Sequence, residues 1–194
     1  SVSDLAKKYG TPLFIYDSGL MKERYYAFLD AIANVNGNIH YAVKANDALA
    51  IVNYFTKLGC GADIVSIGEF EKCIAAGMSP QKIIFSGVGK ENSEIEIALK
   101  NNILQFNIES QEELEDIYKV ASKLKLTANI CLRVNPNIAP NTHKKISTGE
   151  KETKFGIHFK DVNSIYKKLH QLNYINPVGL AVHIGSQIFD FNFF

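Results

Sequence analysis

Ile39-His40-Tyr41-Ala42-Val43-Lys44-Ala45-Asn46 reads as the first of six strands, and the rhythm it opens decides the fold. The other five lie at 62–66, 83–87, 104–109, 128–135 and 177–184. Most are too apolar for a sheet with one wet face, which predicts parallel strands covered on both sides. Over the first five, strand starts recur about every 21–24 residues, the spacing of β/α units with right-handed crossovers. Helical patterns fill the gaps. Leu114, Ile117, Tyr118, Ala121 and Leu124 form one apolar stripe, and Val162, Ile165, Tyr166, Leu169 and Leu172 repeat its spacing. Both are read as core-facing packing stripes rather than binding faces.

Start signals agree with this alternation. Ser79-Pro80 puts a cap residue before a proline at the first helical position. Ser110-Gln111-Glu112-Glu113 has the form of a capping box. Asp47 is placed to cap the helix that follows the Lys44 strand. An earlier helix, at about 19–34, precedes the first strand and gives two regions. Residues 1–38 are an N-terminal segment with a leading helix, and 39–194 are the β/α region.

Composition narrows the classes. The chain has 194 residues, 46% of them apolar, and a net charge of +1. No basic block supports binding to nucleic acid or an anionic membrane. No apolar run is long enough to span a bilayer, and the first residues lack the apolar core of a signal peptide. Cys60, Cys73 and Cys131 are odd in number and without metal-ligand spacing, so a reducing, cytoplasmic setting is expected and no metal is.

Six β/α units suit either a doubly wound sheet or part of a (β/α)8 barrel. No glycine-rich dinucleotide fingerprint follows a strand; Gly59-Cys60-Gly61 precedes one. The preferred fold is therefore an α/β incomplete (β/α)8 TIM barrel of about six units. A full barrel takes about 250 residues and eight strands. The chain reaches Phe189-Asp190-Phe191-Asn192-Phe193-Phe194 soon after the sixth strand, so it is read as a fragment lacking the last strands. The gap before that strand is doubled by a polar insertion, 136–157, of a length more often functional than idle.

Barrel chemistry gathers where strands end. Lys44 is the last inward position of a strand read as buried. Burial disfavours its charge and makes its amine a nucleophile, as a Schiff-base lysine requires. The alternative is a strand-end lysine reaching solvent. Asp63, Ser66 and Glu69 follow on the second strand, Arg133 and Asn135 end the fifth, and His183 and Ser186 end the sixth. Each also has a structural reading. Glu69 at capping-box spacing from Ser66 would bind a backbone amide. Asp63 or Arg133 would serve a buried ion pair, and His183 would be a satisfied core histidine. His40 lies at the opposite mouth and is set aside.

Tyr41-Ala42-Val43-Lys44-Ala45-Asn46 resembles the cofactor-attachment strand of the fold-III pyridoxal-phosphate-dependent amino-acid decarboxylases. The resemblance continues through Gly61-Ala62-Asp63-Ile64-Val65-Ser66-Ile67-Gly68-Glu69, Arg133-Val134-Asn135-Pro136 and His183-Ile184-Gly185-Ser186-Gln187. Thr142-His143-Lys144-Lys145-Ile146-Ser147-Thr148-Gly149 with Lys154-Phe155-Gly156-Ile157 narrows it to the branch acting on diaminopimelate, rather than on ornithine or arginine.

By this resemblance Lys44 carries pyridoxal 5'-phosphate as a Schiff base, and His183 stacks on the cofactor ring. Ser186 lies near its phosphate. Asp63, Glu69 and Arg133 order Lys44, His183 and nearby cofactor contacts. Residues 136–154 would border or close over the substrate. The implied reaction is decarboxylation of meso-2,6-diaminopimelate to L-lysine, the last step of lysine biosynthesis. The implied assembly is a homodimer whose site includes partner residues. The pyridine-nitrogen partner, the glycine-rich phosphate loop, the arginine for the substrate carboxylate and a C-terminal β domain are expected beyond Phe194, so the fragment alone is expected to be inactive. The rival readings are a sister decarboxylase for ornithine, arginine or carboxynorspermidine, a fold-III racemase, and a non-catalytic pyridoxal-phosphate-binding barrel.

Overall fold

A computed structural model describes residues 1–138, 155–186, 188 and 192, and these form two compact units, Ser1–Ile39 and His40–Phe194. The first holds α1 (Val2–Tyr9) and α2 (Ser18–Ala31). Ser1 and Asp4 close a reciprocal capping box on α1, and the Asp17 carboxylate accepts from Gly19 N and Leu20 N at the start of α2. The expected leading helix is thus α2, three residues shorter at its end. The capped α1 adds a helix that the sequence reading lacked.

The second unit alternates strand and helix. Its elements are β1 (His40–Ala42), α3 (Leu49–Leu58), β2 (Gly61–Ile64), α4 (Ile67–Ala75), β3 (Ile83–Phe85), α5 (Asn92–Lys100) and β4 (Gln105–Ile108). They continue with α6 (Gln111–Leu124), β5 (Ala128–Asn135), β6 (Ile157–His158), α7 (Val162–Leu169) and β7 (Ile175–Val182). All pairings are parallel, in the consecutive order β1 to β6, with β7 also along β5. The order never reverses, as it must at the switch point of a doubly wound sheet. The topology is that of an incomplete β/α barrel.

One core joins strands to helices. Ile64, Ile83, Phe85, Phe106, Ile130 and Leu132 from the strands meet Ile95, Ile117, Ile165 and Leu169 from the helices. Burying each such side chain contributes roughly 1.5–3 kcal/mol. Phe85 and Phe106 stack with centroids 6.1 Å apart. Both predicted stripes pack as expected: Leu114, Ile117, Ala121, Val162, Ile165 and Leu169 are buried, with Tyr118, Leu124, Tyr166 and Leu172 against them.

Four local readings need correction. The Lys44 strand stops at Ala42, and Val43–Ala45 is a 3-10 turn closed by Asn46 N bonding to Val43 O. Asp47 does not cap α3; Ala48 is the cap residue, Asn46 Oδ1 accepts from Ala48 N, and Asp47 pairs instead with Lys72. Ser79-Pro80 opens only the 3-10 turn Pro80–Lys82. Part of the supposed insertion is strand: Ile157 and His158 pair with Val134 and Asn135. Residues 139–154, including Thr142 and Lys154, and residue Gln187 lie outside the described residues.

Candidate active site

Parallel register brings the carboxyl ends of the strands to one side. There Asp63 of β2, Ser86 after β3, Asn107 of β4, Arg133 of β5 and His183 after β7 line a cavity of about 250 Å³. Lys44, on the turn after β1, completes it, with Val65, Gly87, Phe155, Ala181 and Val182. Four of the residues chosen from sequence, Lys44, Asp63, Arg133 and His183, therefore share one cavity. Glu69 and Ser186 are not among its lining residues.

Hydrogen bonds run from strand to strand along the cavity. Ser86 Oγ donates to Asp63 Oδ1 at 2.5 Å and accepts from Asn107 Nδ2 at 2.9 Å. Asn107 Oδ1 accepts from Gln105 Nε2 at 2.9 Å. On the other flank Arg133 Nη1 donates to Glu109 Oε1 at 2.7 Å, and the guanidinium sits 5.1 Å from the Phe155 ring centroid. Glu109 Oε2 accepts from Gly156 N at 3.1 Å. Gly156 has φ +77, and a Cβ there would lie 3.1 Å from Arg133 O and Asn135 N, so this close approach needs glycine. The ion-pair reading of Arg133 holds, and the same side chain also lines the cavity.

The carboxylates and the imidazole respond to these neighbours. Burial raises Asp63 above the usual carboxylate range, against the Ser86 hydrogen bond and the positive Lys44 and Arg133. Glu69 is raised too, chiefly by burial. Its Oε2 accepts from Val65 N at 2.7 Å while Ser66 Oγ accepts from Glu69 N at 3.2 Å, so the backbone-binding reading of Glu69 describes its contacts. His183 is held below its ordinary value by desolvation and by Arg133 and Lys44, which keeps its ring neutral at neutral pH.

Lys44 is exposed rather than buried, because the chain leaves the sheet after Ala42 and carries it on a turn. Its claim to reactivity rests on position at the cavity rim, not on desolvation. Ser86, Asn107, Glu109 and Phe155 were missed from sequence. Strands three and four also end in polar residues at this mouth, and that was the available signal. The donor set fits a flat anionic group bearing an aldehyde. Lys44 offers an amine, Arg133 a cation, Ser86 and Asn107 short polar groups, and His183 a neutral ring. Gly87, at φ +91, lies where an added Cβ would press on Val65 Cβ at 3.3 Å. Among the described residues no cluster of histidine, cysteine and carboxylate ligands could hold a metal.

The family described as pyridoxal-dependent decarboxylase, pyridoxal binding domain, matches residues 18–194. A diaminopimelate decarboxylase of Vibrio cholerae serotype O1 is 43% identical over 187 residues, 96% of this chain and 45% of that protein. The crystal structure of diaminopimelate decarboxylase from Helicobacter pylori complexed with L-lysine is 41% identical, with a TM-score of 0.95, over 98% of this chain and 48% of that one. The M. jannaschii diaminopimelate decarboxylase in co-complex with L-lysine is 38% identical, with a TM-score of 0.91, over 99% and 46%. The chain thus spans about half the length of the relatives it matches.

Proposed function

Because the chain belongs to the pyridoxal-dependent decarboxylase family, we propose that it is the pyridoxal-phosphate-binding part of a carboxy-lyase converting meso-2,6-diaminopimelate to L-lysine. The observation that carries the reading is the convergence of Lys44, Asp63, Arg133 and His183 on one cavity. The high identity to diaminopimelate decarboxylases along nearly the whole chain favours this substrate over ornithine, arginine or carboxynorspermidine.

Lys44 Nζ is the amine that would hold the cofactor at its aldehyde carbon. Its exposure on the turn leaves the side chain room to swing at the cavity rim. His183 presents a neutral aromatic face, which holds a ring plane without adding positive charge. Asp63, fixed by Ser86 and Asn107, sets the electrostatic environment of both Lys44 and His183. Arg133, fixed by Glu109, supplies a cation at the cavity wall. Glu69 steadies the β2–α4 turn next to that wall, and Ser186 serves the phosphate side. When bound, pyridoxal phosphate supplies the conjugated electron sink that accepts the pair left as carbon dioxide departs.

The full-length protein acts as a homodimer, as the resemblance implies, with a small amino acid as substrate. Three buried cysteines, Cys60, Cys73 and Cys131, form no disulfide. No helix among the described residues is long and apolar enough to cross a membrane. The test is carbon dioxide release from meso-diaminopimelate by the full-length protein, with ornithine and arginine as comparisons. Lys44→Ala should abolish both the turnover and the visible absorption of the attached cofactor. Persistence of that band would reassign the lysine, and faster turnover of ornithine or arginine would reassign the substrate.

A further inference from the structure

Lys90 does not line the cavity, yet its buried ammonium touches the elements that form one of its walls. Its side chain is 1% exposed. Nζ donates to Gly87 O at 2.6 Å, Asn107 O at 3.0 Å and Glu113 Oε1 at 2.5 Å, which uses all three protons. The Phe85 ring centroid lies 5.4 Å away. We propose that Lys90 is a positioning residue for the cofactor wall, pinning the ends of β3 and β4 so that Ser86, Gly87 and Asn107 present one fixed surface. This inference rests on the reading that the cavity takes pyridoxal phosphate.

Two arms lead from the ammonium to the cavity. The first is backbone: the Gly87 and Asn107 carbonyls it holds belong to residues that line the cavity. Asn107 in turn holds Ser86, and Ser86 holds Asp63. The second arm is ionic. Glu113 Oε2 accepts from Glu109 N at 2.9 Å, and the Glu109 carboxylate fixes Arg133. A compact tetrahedral ammonium can satisfy three convergent acceptors, which a planar guanidinium cannot. Removing Lys90 alone leaves Glu113 buried without its cation, which is costly to the fold. Removing both charges separates that cost from any effect on the wall.

The experiment uses the full-length protein, its Lys90→Met/Glu113→Gln double variant and Lys90→Arg. Each is titrated with pyridoxal phosphate by visible absorption, and its thermal midpoint is read alongside. Both variants are expected to bind the cofactor roughly tenfold more weakly with a displaced absorption maximum, the scale of a small misplacement of a binding group. Cofactor affinity within twofold of the parent, in whichever of the two variants folds, overturns the proposal and leaves Lys90 a structural cation. If the parent itself develops no Lys44-dependent band, the function proposed above falls, and this inference falls with it.

Discussion

Two helices of the barrel start with the same four-residue pattern, Ser66-Ile67-Gly68-Glu69 on α4 and Ser110-Gln111-Glu112-Glu113 on α6. Locally they are alike. Each serine Oγ accepts from the glutamate N at 3.2 Å, and each carboxylate reaches back to the residue before the cap, Val65 or Glu109. Neither makes the reciprocal bond to the cap residue that the capping-box pattern predicts. Their partners differ. Glu113 is buried against Lys90, whereas Glu69 is half-buried and feels Lys44 as a charge rather than as a bonded partner. A shared motif thus fixes the turn, and tertiary neighbours decide whether its carboxylate becomes a structural anchor or part of an electrostatic environment.

The difference is open to direct attack. Glu113→Gln strands the Lys90 ammonium in the interior and should cost about 3–5 kcal/mol, read by denaturant unfolding of the full-length protein. Glu69→Gln keeps an acceptor for Val65 N and should cost less than about 1 kcal/mol. Equal losses at the two positions would dissolve the distinction.

Glu69 also carries a pH signature. Its carboxyl is raised in the fold from 4.5, so the folded chain holds a proton that the unfolded chain has released. Stability from this group is greatest below that value and falls as pH rises through the raised one. Glu69→Gln should therefore flatten the decline of unfolding free energy above pH 4.5, and an unchanged slope would remove Glu69 from the titrating set. The smallest effect belongs to the exposed Lys72–Asp47 pair beside α4. Lys72→Met should leave the thermal midpoint unchanged in high salt, since solvent screens such pairs. A loss that survives salt would show that the rim of α4 is more tightly held than its exposure implies.

Much of this arrangement is legible in the chain itself. Apolar runs at a steady interval announce parallel β/α units, and Lys44, Asp63, Arg133 and His183 reach one cavity because each stands where a run ends. Ser86 and Asn107 were not legible in the same way. Which face of a strand a residue takes depends on register with its neighbours, and a serine after Phe85 reads equally well as a turn. Glu109 was hidden by its neighbour: Ser110 drew attention as a cap, while the carboxylate before it holds Arg133. β6 has two residues, too few for any periodicity to register. The turn at Lys44 escaped because Val43 and Ala45 look like strand, and only the three-residue pairing of β1 with β2 shows where the sheet ends.

The steady interval between strands has a kinetic side. The pairs His40–Gly61, Ala62–Ile83 and Ile84–Gln105 each bridge 21 residues, and Phe106–Ile130 bridges 24. Ala128–Ile175 bridges 47. Closing a loop costs entropy that grows with the logarithm of its length, and doubling the span adds only about 0.6 kcal/mol. The first four closures are then nearly isoenergetic in chain entropy, so none of them is singled out as the slow step. β7 alone pays for a longer search, and it is the strand that delivers His183. On chain entropy alone, joining β7 directly to β5 costs about 0.6 kcal/mol more than each earlier pairing, and that pairing is the one that brings His183 to the cavity.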